Sequence, residues 1–226
     1  MRVGIVGSGR IGGNAGTQLA RTGHEVMFSF SRDPSSLEVL ASGAPNATTG
    51  SPREAVAFGD AVIFAVPWTV VDDAVAAAGP LDGQVVIDTT NQYGAGGLET
   101  LPEGVTAVEV NERRMPGARI AKAFNTLTAG YQRDVAEGRV DAEVAMFFAS
   151  EDDAAADAAS ELVRGCGFIP VRIGGWKQVV LMDAPRRDGS VYGEAYRAAD
   201  ATRIAAAAAD DLDEAARLAI EIKLGG

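Results

Sequence analysis

The sequence predicts a doubly wound α/β fold on a mostly parallel sheet, and three observations predict it. Short apolar runs alternate with helical patterns along most of the 226 residues. Interior runs such as Ala61 to Val66 are apolar without alternation, as strands covered on both faces require. The first run, Val3 to Val6, turns directly into "GSGRIGG", a strand–turn–helix junction of the kind that opens a βαβ unit.

The elements follow in order. After the strand "RVGIVG" the pattern from Ile11 to Arg21 reads as a helix ending at "TGH", and "EVMFSF" (Glu25 to Phe30) is the next strand. Pro34 precedes a short helix from Ser35 to about Ala41, and an edge strand is expected near "ATTG". Ser51, Pro52 and Glu54 form an N-cap, a first-turn proline and the acid of a capping box. The strand at Ala61 to Val66, a helix over Thr69 to Ala78 and the strand "QVVIDT" come next. "ARIAKAF" (Ala118 to Phe124) is a further interior strand, followed by a helix from about Thr126 and a strand over Ala142 to Ser150. A helix from Asp152 to Arg164, with Ser150 as its cap, leads to the strand "GFIPVRI". One long final helix, roughly Ala199 to Ile222, carries Ile204, Ala208, Leu212, Ala215, Ala219 and Ile222 on a single stripe. Residues 1–130 are expected to form a nucleotide-binding core. Residues 131–226 are expected to be an extension on the same sheet, with a cap on the acceptor side and the terminal helix.

Composition narrows the function classes. The formal charge of −11, with no block of Lys and Arg to offset it, argues against a nucleic-acid surface. The apolar runs are too short to cross a bilayer, and the chain starts directly on a strand, so a cytoplasmic protein is expected. The single cysteine, Cys166 between glycines, excludes an internal disulfide and reads as a packing residue. The single histidine, His24, excludes a His-cluster metal site, and the acidic run "SEDDAAADAASE" reads as a solvated helix face. No metal site is expected.

Gly7, Gly9 and Gly12 stand in G-x-G-x-x-G order immediately after a strand and open a helix. Gly7 suits the tight turn, Gly9 the approach of a pyrophosphate, and Gly12 the packing of helix on strand, with Ser8, Arg10 and Ile11 completing the loop. Arg10 either adds charge to the phosphate site or points to water. The end of the second strand chooses the nucleotide. NAD(H) calls for an Asp or Glu there, whereas this chain has Ser29, Ser31 and Arg32, a hydroxyl-and-guanidinium set suited to a 2′-phosphate. Asp33 is the one dissenting residue. NADP(H) is the expected cofactor, on a Rossmann domain.

At these residues the chain resembles the coenzyme F420-dependent NADP oxidoreductases. "GSGRIG", "SFSRDPSSL", "FAVPW", "VVIDTTNQYG" and "KAFNTL" carry the resemblance over about residues 1 to 130, and it continues to about Val171. The resemblance implies that Ser31 and Arg32 grip the 2′-phosphate. It also implies that Val66, Pro67 and Trp68 line the nicotinamide ribose, with Asn91 in the following loop. Ala123, Phe124, Asn125 and Thr126 would then flank the ring, making Asn125, Thr126 and Trp68 the candidates for positioning it. The implied chemistry is hydride exchange between NADPH and coenzyme F420 or a related flavin, which asks little of acid or base side chains. The segment "RIGGWKQVVLMDAPRRDGSVYGEAYRAAD" departs from the family pattern. There Lys177, Arg186 and Arg187 could meet an acidic tail, and Trp176, Tyr192 and Tyr196 could cover a ring. Two other readings stay open. One is an NADPH reductase of a small carbonyl or imine, with Tyr93, Tyr192 or Tyr196 as proton donor; the other is a sensor of NADP(H) without turnover. The expected partners are a small redox molecule and a second copy of the chain, a homodimer through the terminal segments.

Overall fold

The strands of the doubly wound core enter one eight-stranded sheet. The computed structural model describes residues 1–31, 33–140 and 143–222. The first half comprises β1 (Arg2–Val6), α1 (Arg10–Arg21), β2 (Glu25–Ser29), α2 (Pro34–Ser42) and β3 (Ala47–Thr49). The second half begins with α3 (Pro52–Phe58), β4 (Ala61–Phe64), a 3-10 turn at Trp68–Val70, α4 (Val71–Ala78) and β5 (Val85–Asp88). A two-stranded ribbon, β6 (Tyr93–Gly94) and β7 (Gly97–Leu98), and α5 (Ala107–Arg114) precede β8 (Arg119–Ala123). Then come α6 (Ala129–Ala136), β9 (Ala145–Ser150), α7 (Asp153–Gly165), β10 (Ile169–Gly174) and α8 (Trp176–Val179). Two helices follow, α9 (Ala198–Asp210) and α10 (Leu212–Glu221).

The sheet runs β10-β9-β8-β5-β4-β1-β2-β3. All its pairings are parallel except β8 with β9, so β9 and β10 run against the core strands. The order reverses between β1 and β4, and such a switch point opens a crevice at the carboxyl edge of a parallel sheet. Apolar layers cover both faces. One layer gathers Leu19 of α1 and Leu162 and Val163 of α7; the other gathers Val108 of α5, Ile204 of α9 and Ala215 of α10. The doubly wound α/β expectation is met.

Several boundaries differ from the sequence-based expectation, each for a local reason. The capping box of α3 forms as expected, Ser51 accepting from the Glu54 N–H and Glu54 from the Ser51 N–H. For α7 the cap is Asp152, which accepts from the Ala155 N–H at 2.8 Å, while the Ser150 hydroxyl donates to the carbonyls of Ile120 and Asp152. The strand expected from Ala142 begins at Ala145, and Ala142 lies outside the described residues. The single terminal helix is two. Asp211 adopts an extended backbone, φ −141° and ψ 112°, and its carboxylate accepts from the N–H groups of Asp213 and Glu214. With only Asp211 between them, a new helix therefore follows α9, and the apolar stripe folds back on itself. Asp211→Ala is expected to cost about 1 kcal/mol of stability in thermal or urea unfolding, the usual loss on removing an N-cap.

Candidate functional site

The crevice at the switch point is built by the glycine turn. Gly7 has φ +103°, and a Cβ there would lie 2.5 Å from the Ala65 carbonyl oxygen at the end of β4. Its bareness lets the turn lie against β4. A Cβ on Gly12 would lie 2.1 Å from the Gly7 oxygen, so this glycine seats α1 on β1. Gly9 is different: a Cβ there would meet nothing within 4 Å. No protein atom requires a glycine at position 9, whereas an approaching ligand would. Gly9 is also the N-cap of α1, where no side chain accepts from the first N–H groups. The N–H groups of Arg10, Ile11 and Gly12 therefore begin the helix with no preceding turn to bond, at its positive end. The turn is fixed from behind, by Gly7 N–H to Ser29 O (3.1 Å), Ser8 N–H to Phe30 O (3.3 Å) and the Ser8 hydroxyl to Ser29 O (2.8 Å). Phe30 reaches this position with φ +54°, a conformation that costs a non-glycine residue energy and collects at functional turns. A diphosphate fits this cradle. Arg10 is exposed and, with Asn14, Ala129, Gly130 and Arg133, borders a cavity of about 260 Å³ between α1 and α6.

At the end of β2 one expected residue is withdrawn. Ser29 is fully buried and its hydroxyl donates to the Ile5 carbonyl at 2.7 Å, because successive strand residues alternate faces and this one faces inward. It is thus removed from the candidate 2′-phosphate grip. Ser31 is partly exposed and shares a 2.8 Å hydrogen bond with the Ser36 hydroxyl. Arg32 lies outside the described residues. Asp33, the dissenting acid, caps α2: its carboxylate accepts from the Ser35 N–H (3.0 Å) and hydroxyl (2.7 Å).

At the ends of β4, β5 and β8 the structure gathers Val66, Asn91, Ala123, Asn125 and Thr126. The Asn91 Nδ2 donates to the Asn125 carbonyl at 3.0 Å, and the Asn125 Nδ2 donates to Asn91 Oδ1 (3.2 Å) and to the Met182 carbonyl (2.9 Å). Val66, Ala123, Asn125 and Thr126 are buried, while Pro67 is exposed at the rim. Phe124, at φ +59°, turns the chain after β8, and its carbonyl accepts from the Gln132 amide. Trp68 is engaged by two side chains distant in sequence. Its ring is only 4% exposed, Arg114 covers it at 4.4 Å, and its Nε1 donates to Glu99 at 2.6 Å. These contacts make it an anchor of the loop.

The divergent carboxyl-terminal segment covers this cluster only in part. Met182 binds Asn125, the Gln92 amide donates to the Ala184 carbonyl at 3.0 Å, and the Gly193 N–H donates to the Thr126 carbonyl at 2.7 Å. Tyr192 and Tyr93 meet hydroxyl to hydroxyl at 3.4 Å, joining this cap to the β6–β7 ribbon. Trp176 and Lys177 are elsewhere. Because β10 runs against the core strands, its carboxyl end lies at the opposite edge of the sheet, where the Trp176 N–H and indole bond Glu151 and Glu112. Tyr196 is a core residue whose hydroxyl donates to the Ala219 carbonyl at 2.9 Å. Arg186 is paired with Glu194, and Arg187 donates to the carbonyls of Asp183 and Val180.

Beneath the crevice sits a polar cluster that sequence reasoning missed. Lys122 and Asp88 are both fully buried, 3.0 Å apart, and Lys122 also donates to the Thr90 carbonyl. Asn111 of α5 donates to Asp88 (3.0 Å) and to the Thr90 hydroxyl (2.9 Å). Burial raises the Asp183 carboxyl above the ordinary range, against the attraction of nearby Lys122. Cys166 is buried and its thiol is pushed up to about 12 by desolvation, which leaves it inert as a nucleophile. Among the described residues no group of His, Cys, Asp and Glu is placed to hold a metal ion, and no helix is long and apolar enough to cross a membrane.

Residues 2–92 match the model of a family described as NADP oxidoreductase, coenzyme F420-dependent. Over those residues the chain is similar to F420-dependent NADP oxidoreductases. The match spans the glycine turn, the β2 end, the β4 loop and Asn91, whereas Ala123 to Thr126 and the cap lie beyond it. Solved structures agree in fold. The hypothetical protein SMa0349 of Sinorhizobium meliloti is similar at 25% identity and TM-score 0.70, over 83% of this chain and 91% of that one. A protein of Arthrobacter sp. FB24, described as an F420-dependent NADP-reductase, is similar at 23% identity and TM-score 0.64, over 76% of this chain and 84% of that one. A reductive aminase of Aspergillus terreus in complex with NADPH shares the fold at 16% identity and TM-score 0.57, over 77% of this chain and 55% of that one. A search of curated protein sequences finds no match. The match and the structural neighbours support an NADP-dependent oxidoreductase and leave its acceptor unspecified.

Proposed function

We propose that the chain binds NADP(H) across the crevice between β1 and β4 and exchanges hydride with a planar redox molecule of the deazaflavin or flavin class. The observation that carries the nucleotide half is the α1 terminus: uncapped N–H groups beside a Gly9 that no protein contact requires. The choice of the phosphorylated nucleotide rests on Asp33. Its carboxylate is turned into the α2 cap, so no acid at this strand end is left to receive a ribose 2′-hydroxyl, and Ser31 and Arg32 remain as the grip. Asn125 and Thr126 are the ring-positioning residues, held by Asn91 and by the cap. Bound NADPH would supply the hydride, and the protein's part is to hold two flat rings in register. That division accounts for a crevice in which the Asn91 and Asn125 amides bond each other and the buried Lys122 is paired with Asp88.

Calorimetric titration tests the nucleotide half. NADPH is expected to bind at least about tenfold more tightly than NADH, and Arg32→Ala to remove most of that preference by deleting charge-assisted bonds worth about 1.5–3 kcal/mol. Equal affinities in the unaltered protein would refute the 2′-phosphate assignment. The acceptor half is tested by mixing protein, NADPH and oxidised F420 and following the loss of deazaflavin absorbance, with NADH as control.

A further inference from the structure

The mouth of the crevice beyond Asn91 and Asn125 has an unusual lining. Tyr93 and Leu98 are directly opposed on the β6–β7 ribbon, and both side chains stand in solvent, at 43% and 41% exposure. The Tyr192 hydroxyl donates to that of Tyr93 at 3.4 Å. The Tyr93 N–H donates to the Asn91 carbonyl, and the N–H of Gly193, next to Tyr192, donates to the Thr126 carbonyl, so both phenols adjoin the Asn91–Asn125 cluster. Opposed residues of an antiparallel pair share one face, which sets Tyr93 and Leu98 side by side, and the hydroxyl bond to Tyr93 joins the Tyr192 ring to this lip. The cations of the cap do not serve this lip. Arg186 is bound to Glu194, Arg187 to backbone carbonyls, and Lys177 lies with Trp176 at the far edge of the sheet.

Resting on the reading that a flat redox molecule is reduced here, we infer that this molecule is held by its ring system alone. Tyr93, Leu98 and Tyr192 form the surface it lies on, and a phosphate or carboxylate chain attached to it contributes nothing to binding. Tyr and Leu offer stacking and apolar contact without charge, and the paired hydroxyls can hydrogen-bond the polar edge of a heterocycle. Burial raises the Tyr192 phenol, so it keeps its proton and remains a donor. A tail of several negative charges would find engaged arginines at this mouth and a protein of formal charge −11 behind it.

The test measures binding rather than turnover. The protein saturated with NADP⁺ is titrated, by fluorescence quenching, with two probes: the deazaflavin carrying its ribityl chain but no phosphate, and intact F420 with its phosphate and glutamate tail. The two dissociation constants are expected to agree within about threefold and to stay constant between low and high salt, since charge contacts alone are screened. Tyr192→Ala and Leu98→Ser should each weaken both probes about fivefold to tenfold, the scale of one lost ring or side-chain contact, with NADPH affinity unchanged. Leu98 is exposed, so its variant is expected to keep the fold, which its thermal melt checks. A tenfold or greater advantage for the tailed probe that vanishes in salt would overturn the inference and point to Arg10 and Arg133 at the α1–α6 cavity. Equal probes that ignore both substitutions would overturn the lip. Failure of both probes to bind overturns it too. Failure of NADPH itself to bind sinks the functional reading separately.

Discussion

Gly9→Ala is expected to lower NADPH affinity on the order of 10- to 100-fold while leaving the folded protein almost unchanged. The expectation comes from comparing three glycines that look alike in the sequence. A methyl group at position 9 projects into open space and meets no protein atom within 4 Å. At an N-cap, Ala in place of Gly costs well under about 1 kcal/mol. A diphosphate seated on the Arg10, Ile11 and Gly12 N–H groups would be displaced by that methyl, and losing one or two charge-assisted hydrogen bonds of about 1.5–3 kcal/mol each gives the stated range. Gly12→Ala should behave in the opposite way. Its Cβ would lie 2.1 Å from the Gly7 oxygen and 3.0 Å from Ala65 Cβ, all firm parts of the sheet and turn. A loss of about 2–4 kcal/mol in urea unfolding is expected, as for other overpacked sites. Calorimetry for binding and urea melts for stability separate the two effects. If Gly9→Ala binds NADPH normally, the turn holds no diphosphate, and the nucleotide half of the proposed function falls with it.

That contrast also shows where the sequence was legible. Spacing alone identifies a strand, a glycine turn and a helix, because period and turn chemistry are local. The same locality predicts the Ser51–Glu54 cap. It equally announces α5, through Thr106 and Glu109, and α10, through Asp211 and Glu214, signals of the same kind that a reading led by strands and apolar stripes passes over. What local pattern cannot supply is which way a side chain faces. Ser29 and Ser31 both stand at a strand end as small hydroxyls. Only pairing with β1 shows that the first donates to Ile5 inside the sheet while the second stays at the surface. Trp68 follows a strand in the expected loop, yet an arginine and a glutamate distant in sequence turn it into a packing anchor. Trp176 and Lys177 are misplaced for a topological reason: one antiparallel pairing, β8 with β9, sends the end of β10 to the far edge.

Lys122→Met is expected to destabilise the protein by about 3–5 kcal/mol, a large share of the roughly 5–15 kcal/mol typical of a folded domain. Lys122 reads in the sequence as an odd polar residue within the apolar strand "ARIAKAF". In the structure its ammonium group is fully buried, 3.0 Å from Asp88, and supports the Thr90 carbonyl just before Asn91. Methionine would fill much the same volume, so the cost is electrostatic: the Asp88 carboxylate stays buried with only Asn111 and the Thr90 N–H to bond it. Adding Asp88→Asn should recover at least about 1 kcal/mol relative to the single variant, as coupled neighbours do. Asp183 gives the loss a pH signature. Its carboxyl is raised by burial and lowered by Lys122, so removing the lysine raises it further. An acid that titrates higher in the folded state than unfolded binds more protons when native, so stability falls as pH rises from the unfolded value, near about 4, through the folded one. The deficit of Lys122→Met should therefore be larger at neutral pH than in mild acid. Urea melts at both values would show it, and a deficit under about 1 kcal/mol at neutral pH would mean that water reaches this cluster. The position matters for function because Thr90, Asn91 and Asp183 lead directly to the residues that bound the crevice, so one buried charge pair stabilises both the sheet and the wall of the site.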